Sequence, residues 1–190
     1  MEKLYKVLGK NAEAVNGGNG KWKRNCHWMP PIDGELVPCE NGYHLCRKQD
    51  LIAWLGPTIW EAEYRGERID DDNKVVVREA RIVRRIKNWD ETTARLFAVD
   101  CAERVMHLGD EVILSTVLAV VYLYAIGEVT KDDLSTARAA AWAAARAAAR
   151  DTAWAAARDT AWAAARAWAA AWAAAREWQT ERLFEYLRGE

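Results

Sequence analysis

The chain has 190 residues, with 27 Lys and Arg against 28 Asp and Glu, for a formal net charge of −1. That balance excludes a general nucleic-acid binder, which would be strongly basic, and the length holds one ordinary domain or a small domain plus an extended element. Residues 1–10 are mixed and charged, so no secretory signal is expected there. The most hydrophobic window, 112–126, is too short to span a bilayer and contains Ser115 and Thr116. The cysteines Cys26, Cys39, Cys46 and Cys101 are therefore expected as reduced thiols in a cytoplasmic protein with no membrane association.

Residues 4–9 read as a first strand. The Asn-Gly-Gly-Asn-Gly run at 16–20 is a flexible turn that lacks the trailing Lys-Ser/Thr of a phosphate-binding loop, so it is expected only to bend the chain. A basic, aromatic patch follows at 21–28, and Pro30-Pro31 and Asp33-Gly34 mark another turn. Residues 39–46 read Cys-Glu-Asn-Gly-Tyr-His-Leu-Cys, with Asn41-Gly42 as a turn that places His44 and Cys46 on one side of the next strand. Cys39, His44 and Cys46 are weak candidates for zinc ligands, with Cys26 or His27 as a fourth. The spacing matches no standard zinc pair, and buried thiols with a hydrogen-bonded histidine are the preferred reading.

A short helix at 49–55 is stopped by Gly56-Pro57. In the strand at 59–65, Trp60, Ala62 and Tyr64 face one way and Glu61, Glu63 and Arg65 the other. An acidic turn at 70–73 leads into a β-branched strand at 74–86, which begins Val75-Val76-Val77. Its Arg78, Arg81, Arg84 and Arg85 occupy both faces, which suggests an edge strand or an anion site, the edge being preferred. Asp90 caps a helix whose core side is Phe97, Cys101, Val105 and Leu108, ended by Gly109. Residues 110–127 are apolar on all sides and are expected to need burial all round. Thr130 and Asp133 form a capping box that starts the last helix, and Gly189 ends it. The fold class is α+β: a β-rich module at 1–88, a helical connector at 89–130 and a long alanine-rich helix at 131–190.

That last helix is the unusual feature. Between residues 134 and 176 it carries six arginines against two acids, Asp151 and Asp159. As one α-helix, residues 131–188 would be roughly 85 Å long, about twice the ~40 Å diameter of a globule of this size. Either it breaks into two or three hairpin pieces or it projects and packs against other copies, and assembly of the chain into an oligomer is the preferred expectation. Arg138, Trp142, Arg146, Arg150, Trp154, Arg158, Trp162 and Arg166 stand four residues apart, and each step drifts about 40° around the helix. That drift disfavours a two-stranded coiled coil and favours a helix contacted on several sides. Trp142, Arg146, Arg150, Trp154, Arg158, Trp162, Arg166, Trp172 and Arg176 are the candidate ligand-binding residues: indole stacks a base, and guanidinium forks a phosphate. Packing knobs and solubilising charges are the preferred reading of these side chains, ahead of ligand contact and of a surface for a protein partner.

Residues 35–86 resemble a domain of unknown function found widely in phage genomes. The marks are Cys39–Cys46, the acidic-aromatic strand from Trp60 to Gly66, the acidic turn from Asp70 to Asn73 and the basic strand from Lys74 to Ile86. Residues 93–178, with Ala-Arg-Leu-Phe, Cys-Ala-Glu-Arg and the alanine, arginine and tryptophan repeats, look like an alanine-rich helical family of immunity-like proteins. Together these resemblances imply a phage origin.

His27, His44 and His107 have no context that marks a triad, and the acids are scattered, so no catalysis and no cofactor are expected. The expected function is a non-catalytic phage counter-defence protein that sequesters a small anionic, nucleotide-derived immune signal in Trp/Arg-lined sites of an oligomer. The alternatives are an immunity-like protein that blocks a protein partner, and a purely structural oligomerisation rod.

Overall fold

In the computed structural model, residues 2–18, 20–104, 111–140 and 161–189 are described, with side chains omitted at 111–114 and 161–171. The fold is α+β. The chain forms two compact units, Met1–Asp90 with Glu177–Glu190, and Glu91–Arg176.

The first unit is built on an antiparallel sheet of β1 (Leu4–Leu8), β2 (Tyr43–Leu45), β3 (Thr58–Asp71) and β4 (Lys74–Arg85), in the order β1-β3-β4-β2. A two-residue turn joins β3 to β4, and the hairpin register pairs Asp71 with Lys74 and Glu63 with Arg81. Two irregularities bend it. Opposite the single Arg78, β3 carries two residues, Gly66 and Glu67, with Gly66 in the left-handed region at φ 80°. This is the position a glycine-type bulge requires. Between the Glu61–Arg84 and Ala62–Ile82 pairs, Val83 of β4 has no opposite number.

Alternation along the strands buries both faces of the sheet. Leu4, Leu8, Ala62, Val75, Val77 and Ile82 pack on one face beneath Ala12 and Trp22 of the loop after β1. On the other face the Tyr5 ring meets Phe184 edge-on at 5.4 Å. Phe184 belongs to the end of α4 (Ala161–Arg188), where Thr180, Leu183, Phe184 and Leu187 are all buried. Their spacing of three, four and seven residues makes one apolar stripe. The predicted short helix is a 3-10 helix, Lys48–Trp54. Arg47 Nε donates to the buried Asp50 carboxylate at 2.5 Å, and its Nη2 donates to the carbonyls of both Asp71 and Asp72, tying the 3-10 helix to the hairpin turn.

The edge-strand expectation for residues 74–86 is overturned. β4 lies between β3 and β2. Beyond the short β2, the loop backbone covers its free side, with Met29 N–H donating to Ala80 O at 2.9 Å and Ile32 N–H to Arg78 O at 3.0 Å. Of the arginines that suggested an edge, all but Arg85 are answered across the hairpin. Arg84 binds Glu61, Arg81 binds Glu63, and Glu79 of β4 binds Arg65 of β3. Arg78 pairs with Glu67. Trp28 completes this face, with the Arg65 and Arg81 guanidinium groups 4.5 and 4.7 Å from its ring.

The second unit comprises α1 (Glu91–Arg104), α2 (Glu111–Ile126), α3 (131–140) and α4 up to Arg176. Phe97 is buried, Cys101 is half-buried, and Val105 and Leu108 lie outside the described residues. Arg95 pairs with Glu91 one turn away and stacks on Tyr124 of α2 at 4.5 Å. The expectation of all-round burial for 110–127 fails among the described residues, because Tyr122, Leu123 and Ile126 are exposed in the single chain. The capping box is formed: Thr130 N–H donates to Asp133 Oδ2 at 2.9 Å, and Asp133 N–H to Thr130 Oγ1 at 3.3 Å. At the other end Gly189 has φ 80°, and its N–H donates to Glu185 O at 3.0 Å, as a helix-ending glycine should. Among the described residues no helix is long and apolar enough to cross a membrane.

Candidate functional site

The Cys39–Cys46 segment forms one wall of a cleft of about 420 Å³ in the first unit, a size typical of small-ligand sites. Gly42 makes the turn possible. Its φ is 143°, and a Cβ there would lie 2.3 Å from Val76 Cγ1, so the chain can pass this closely only without a side chain. Cys39 also takes a left-handed conformation, at φ 69°. This costs a non-glycine residue energy and is held by a hydrogen bond from its N–H to His44 Nε2 at 2.9 Å. A histidine that accepts at Nε2 is neutral, with its proton on Nδ1. Burial, then the nearby Lys6 and Lys74 ammonium groups, hold its pKa below the usual value.

The other walls come from distant segments. Trp22 meets Tyr43 edge-on at 5.4 Å, and the Tyr43 hydroxyl donates to Pro30 O at 2.8 Å. Lys6 Nζ lies 5.0 Å from the Trp22 ring centre and donates to His44 O at 2.9 Å. Burial pushes the Lys6 ammonium down to about 8, against a small opposing effect from Cys46. Trp54, at the end of the 3-10 helix, is fixed by its indole N–H donating to Asn73 O at 2.8 Å, with Lys74 Nζ 5.4 Å from its ring. Lys74 is anchored by Asp71 at 3.0 Å. Asn16, Gly17 and Gly18 of the glycine-rich turn close the rim, with Asn16 Nδ2 donating to Trp54 O at 3.4 Å.

Two ammonium groups, each beside an indole face, can hold a flat ring together with an anionic substituent. Aromatic faces supply contact area, and the lysines supply charge in a partly dehydrated setting. The zinc reading finds no geometry here. His44 Nε2 is already used by a backbone N–H, and burial pushes the Cys46 thiol up to about 12, away from the thiolate a metal needs. Among the described residues no three His, Cys, Asp or Glu side chains gather as a ligand set. All four cysteines are free thiols.

Of the ligand residues expected in the long helix, Trp142, Arg146, Arg150, Trp154 and Arg158 lie outside the described residues. Trp162 and Arg166 are placed in α4 by their backbone alone. Trp172 is 62 % exposed and Arg176 half-buried, one turn apart on α4. The cleft residues Lys6, Trp22, Trp54 and Lys74 were missed. The available signals were the basic-aromatic run at 21–28 and a lysine alternating with buried aliphatics in β1. No protein family, curated protein or solved structure matches this chain.

Proposed function

We propose that this protein is a non-catalytic binder of a small, nucleotide-derived ligand, which it sequesters as a phage counter-defence protein would sequester a host immune signal. The observation that carries the reading is the pairing of Lys6 with Trp22 and of Lys74 with Trp54 around one cleft. A base or similar ring would lie against the aromatic side chains while its phosphate meets the ammonium groups. His44 serves here as a structural acceptor for the Cys39 turn rather than as a proton shuttle. The Trp/Arg ladder of the long helix is the second place such a ligand would be held, at contacts between copies of the chain. The exposed Tyr122, Leu123 and Ile126 of α2 favour such self-association, or a protein partner in the immunity-like alternative.

Native mass spectrometry of the purified protein tests the reading, because it reports subunit number and co-purified ligand together. An oligomer whose ligand is released unchanged by heat denaturation is expected, and recovery of altered ligand would overturn the sequestering role. Two variants then locate the site. Trp54→Ala with Lys74→Gln should abolish ligand retention if the motif cleft holds it. Replacing Trp154, Trp162, Arg158 and Arg166 together should weaken assembly or binding if the helix does. A stoichiometric protein partner without any small molecule would favour the immunity-like alternative.

A further inference from the structure

A second concavity in the first unit, about 940 Å³, opens where β4 runs out, between the start of β1, the 3-10 helix and the last turn of α4. Lys3, Lys48, Arg84, Arg85, Lys87 and Arg188 line it, against the carboxylates Glu2 and Glu61. The acids are committed. Glu2 pairs with Arg68 at 2.9 Å, and Glu61 is shared by Arg84 at 2.6 Å and Lys3 at 3.9 Å. Lys48 meets Glu181 at 2.7 Å. Arg85 and Lys87 have no acidic partner among the described residues. The cleft thus carries a surplus of positive charge on a protein whose net charge is −1.

The backbone explains why the cations gather. Adjacent residues of a regular strand point to opposite faces, yet Arg84 and Arg85 both line this cleft. Both sit at the very end of β4, past a bulge at the unmatched Val83 that bends this stretch of the strand. After Arg85 the chain leaves the sheet, with Ile86 N–H donating to Ile59 O at 2.9 Å, and turns to bring Lys87 and Asn88 alongside the helix end. Asn88 Nδ2 donates to Leu187 O at 3.3 Å, which occupies one of the terminal helix carbonyls that would otherwise face the cleft with partial negative charge. The floor is firm and apolar, made by Tyr5 against Phe184.

We infer that this cleft is a binding site for a ligand carrying several phosphates, with Arg85 and Lys87 as its principal anion-binding groups. Arginine forks a phosphate through two parallel N–H donors, and lysine adds a compact charge. A span lined by six cations is too large for one phosphate and suits a linked series of them. The site does not depend on the motif cleft, which lies at another part of the module and uses different residues.

The test is calorimetric titration of the full chain with inorganic tripolyphosphate at low salt. One equivalent per chain is expected to bind, more tightly than orthophosphate. Affinity should fall roughly tenfold or more in Arg85→Gln with Lys87→Gln and weaken at about 0.5 M salt. Both positions are free of structural ion pairs, so the thermal midpoint of that variant should match the parent. Trp54→Ala with Lys74→Gln should bind tripolyphosphate as the parent does. A failure of the motif cleft to bind its own ligand would thus leave this result untouched. Undiminished binding by the Arg85/Lys87 variant, or orthophosphate binding as tightly as tripolyphosphate, would overturn the assignment.

Discussion

The arginines of the sheet and those of the alanine-rich segment differ in the company their sequences give them. On the hairpin, Arg84, Arg81 and Arg65 each stand directly across from a carboxylate, and Trp28 lies against two of them. Between residues 134 and 176 the sequence sets six arginines against two acids. Cross-strand pairs sit about 5 Å apart and are set by register, so opposite charges can be matched one to one. On a helix only neighbours three or four positions away can answer, and here those neighbours are mostly alanine, tryptophan or another arginine. Arginine in the sheet is therefore structural wherever register supplies its acid. Arginine left without one, as at Arg85, is where an external anion becomes the natural partner.

The same contrast runs within α4, and the largest expected effect comes from its end. Leu183 is fully buried while Trp172, eleven residues earlier, is mostly exposed. Leu183→Ala should cost about 2–5 kcal/mol of stability, read by urea denaturation. Trp172→Ala should cost about 0.5 kcal/mol or less at concentrations where the chain is monomeric. A comparable loss at both sites would erase the distinction between docked helix end and exposed rod. A Trp172 effect that grows with protein concentration would instead place that indole in an interface between copies.

A smaller effect should come from Lys6. Its folded pKa of about 8 lies below its ordinary value of 10.5, so between the two the unfolded chain binds more protons. Stability then rises with pH, by about 1 kcal/mol from pH 7 to pH 9. Above pH 9 the raised Cys46 thiol acts in the opposite sense, because the unfolded thiol ionises first. Lys6→Met should remove the rise between pH 7 and pH 9 in a denaturation series. His44 gives an acid-side counterpart. Its folded pKa is depressed, so the stability it contributes is present above about pH 6.5 and declines as pH falls through the depressed value. His44→Ala should flatten that decline, and an unchanged acid limb would mean that the Cys39 turn does not depend on the neutral ring.

The smallest effect belongs to the ladder. A double-mutant cycle of Glu63→Gln and Arg81→Gln should give a coupling of about 0.2–1 kcal/mol, shrinking in about 1 M salt. A larger, salt-insensitive coupling would mean that Trp28 shields the pair and that the sheet arginines contribute more than register matching.

Much of the module was legible residue by residue. Period-two alternation with the acidic turn marked the β3–β4 hairpin, although β3 runs on to Asp71 through the Gly66 bulge. Asn41-Gly42 marked the motif turn, and Thr130 with Asp133 marked a helix start; both are local hydrogen-bond patterns. The strand order was not legible. Arginine on both faces resembles an edge until the partner carboxylates on β3 are placed, and covering of β4 by residues 29–32 depends on a loop with no periodic pattern. The stripe Thr180, Leu183, Phe184 and Leu187 was visible in principle but was overshadowed by the alanine run before it.

Features that depend on neighbours along the chain are written in the residues themselves: the α+β order of elements, the turns, the caps and the uneven charge of the last helix. Tertiary structure decided which distant side chains share a space. It brought Lys6, Trp22, Trp54 and Lys74 around the Cys39–Cys46 segment, and it left Arg85 and Lys87 without acids beside a committed Glu61. The reason is physical: propensity and hydrogen-bond closure act over a few residues, whereas a cleft and its charge are set by packing between segments tens of positions apart.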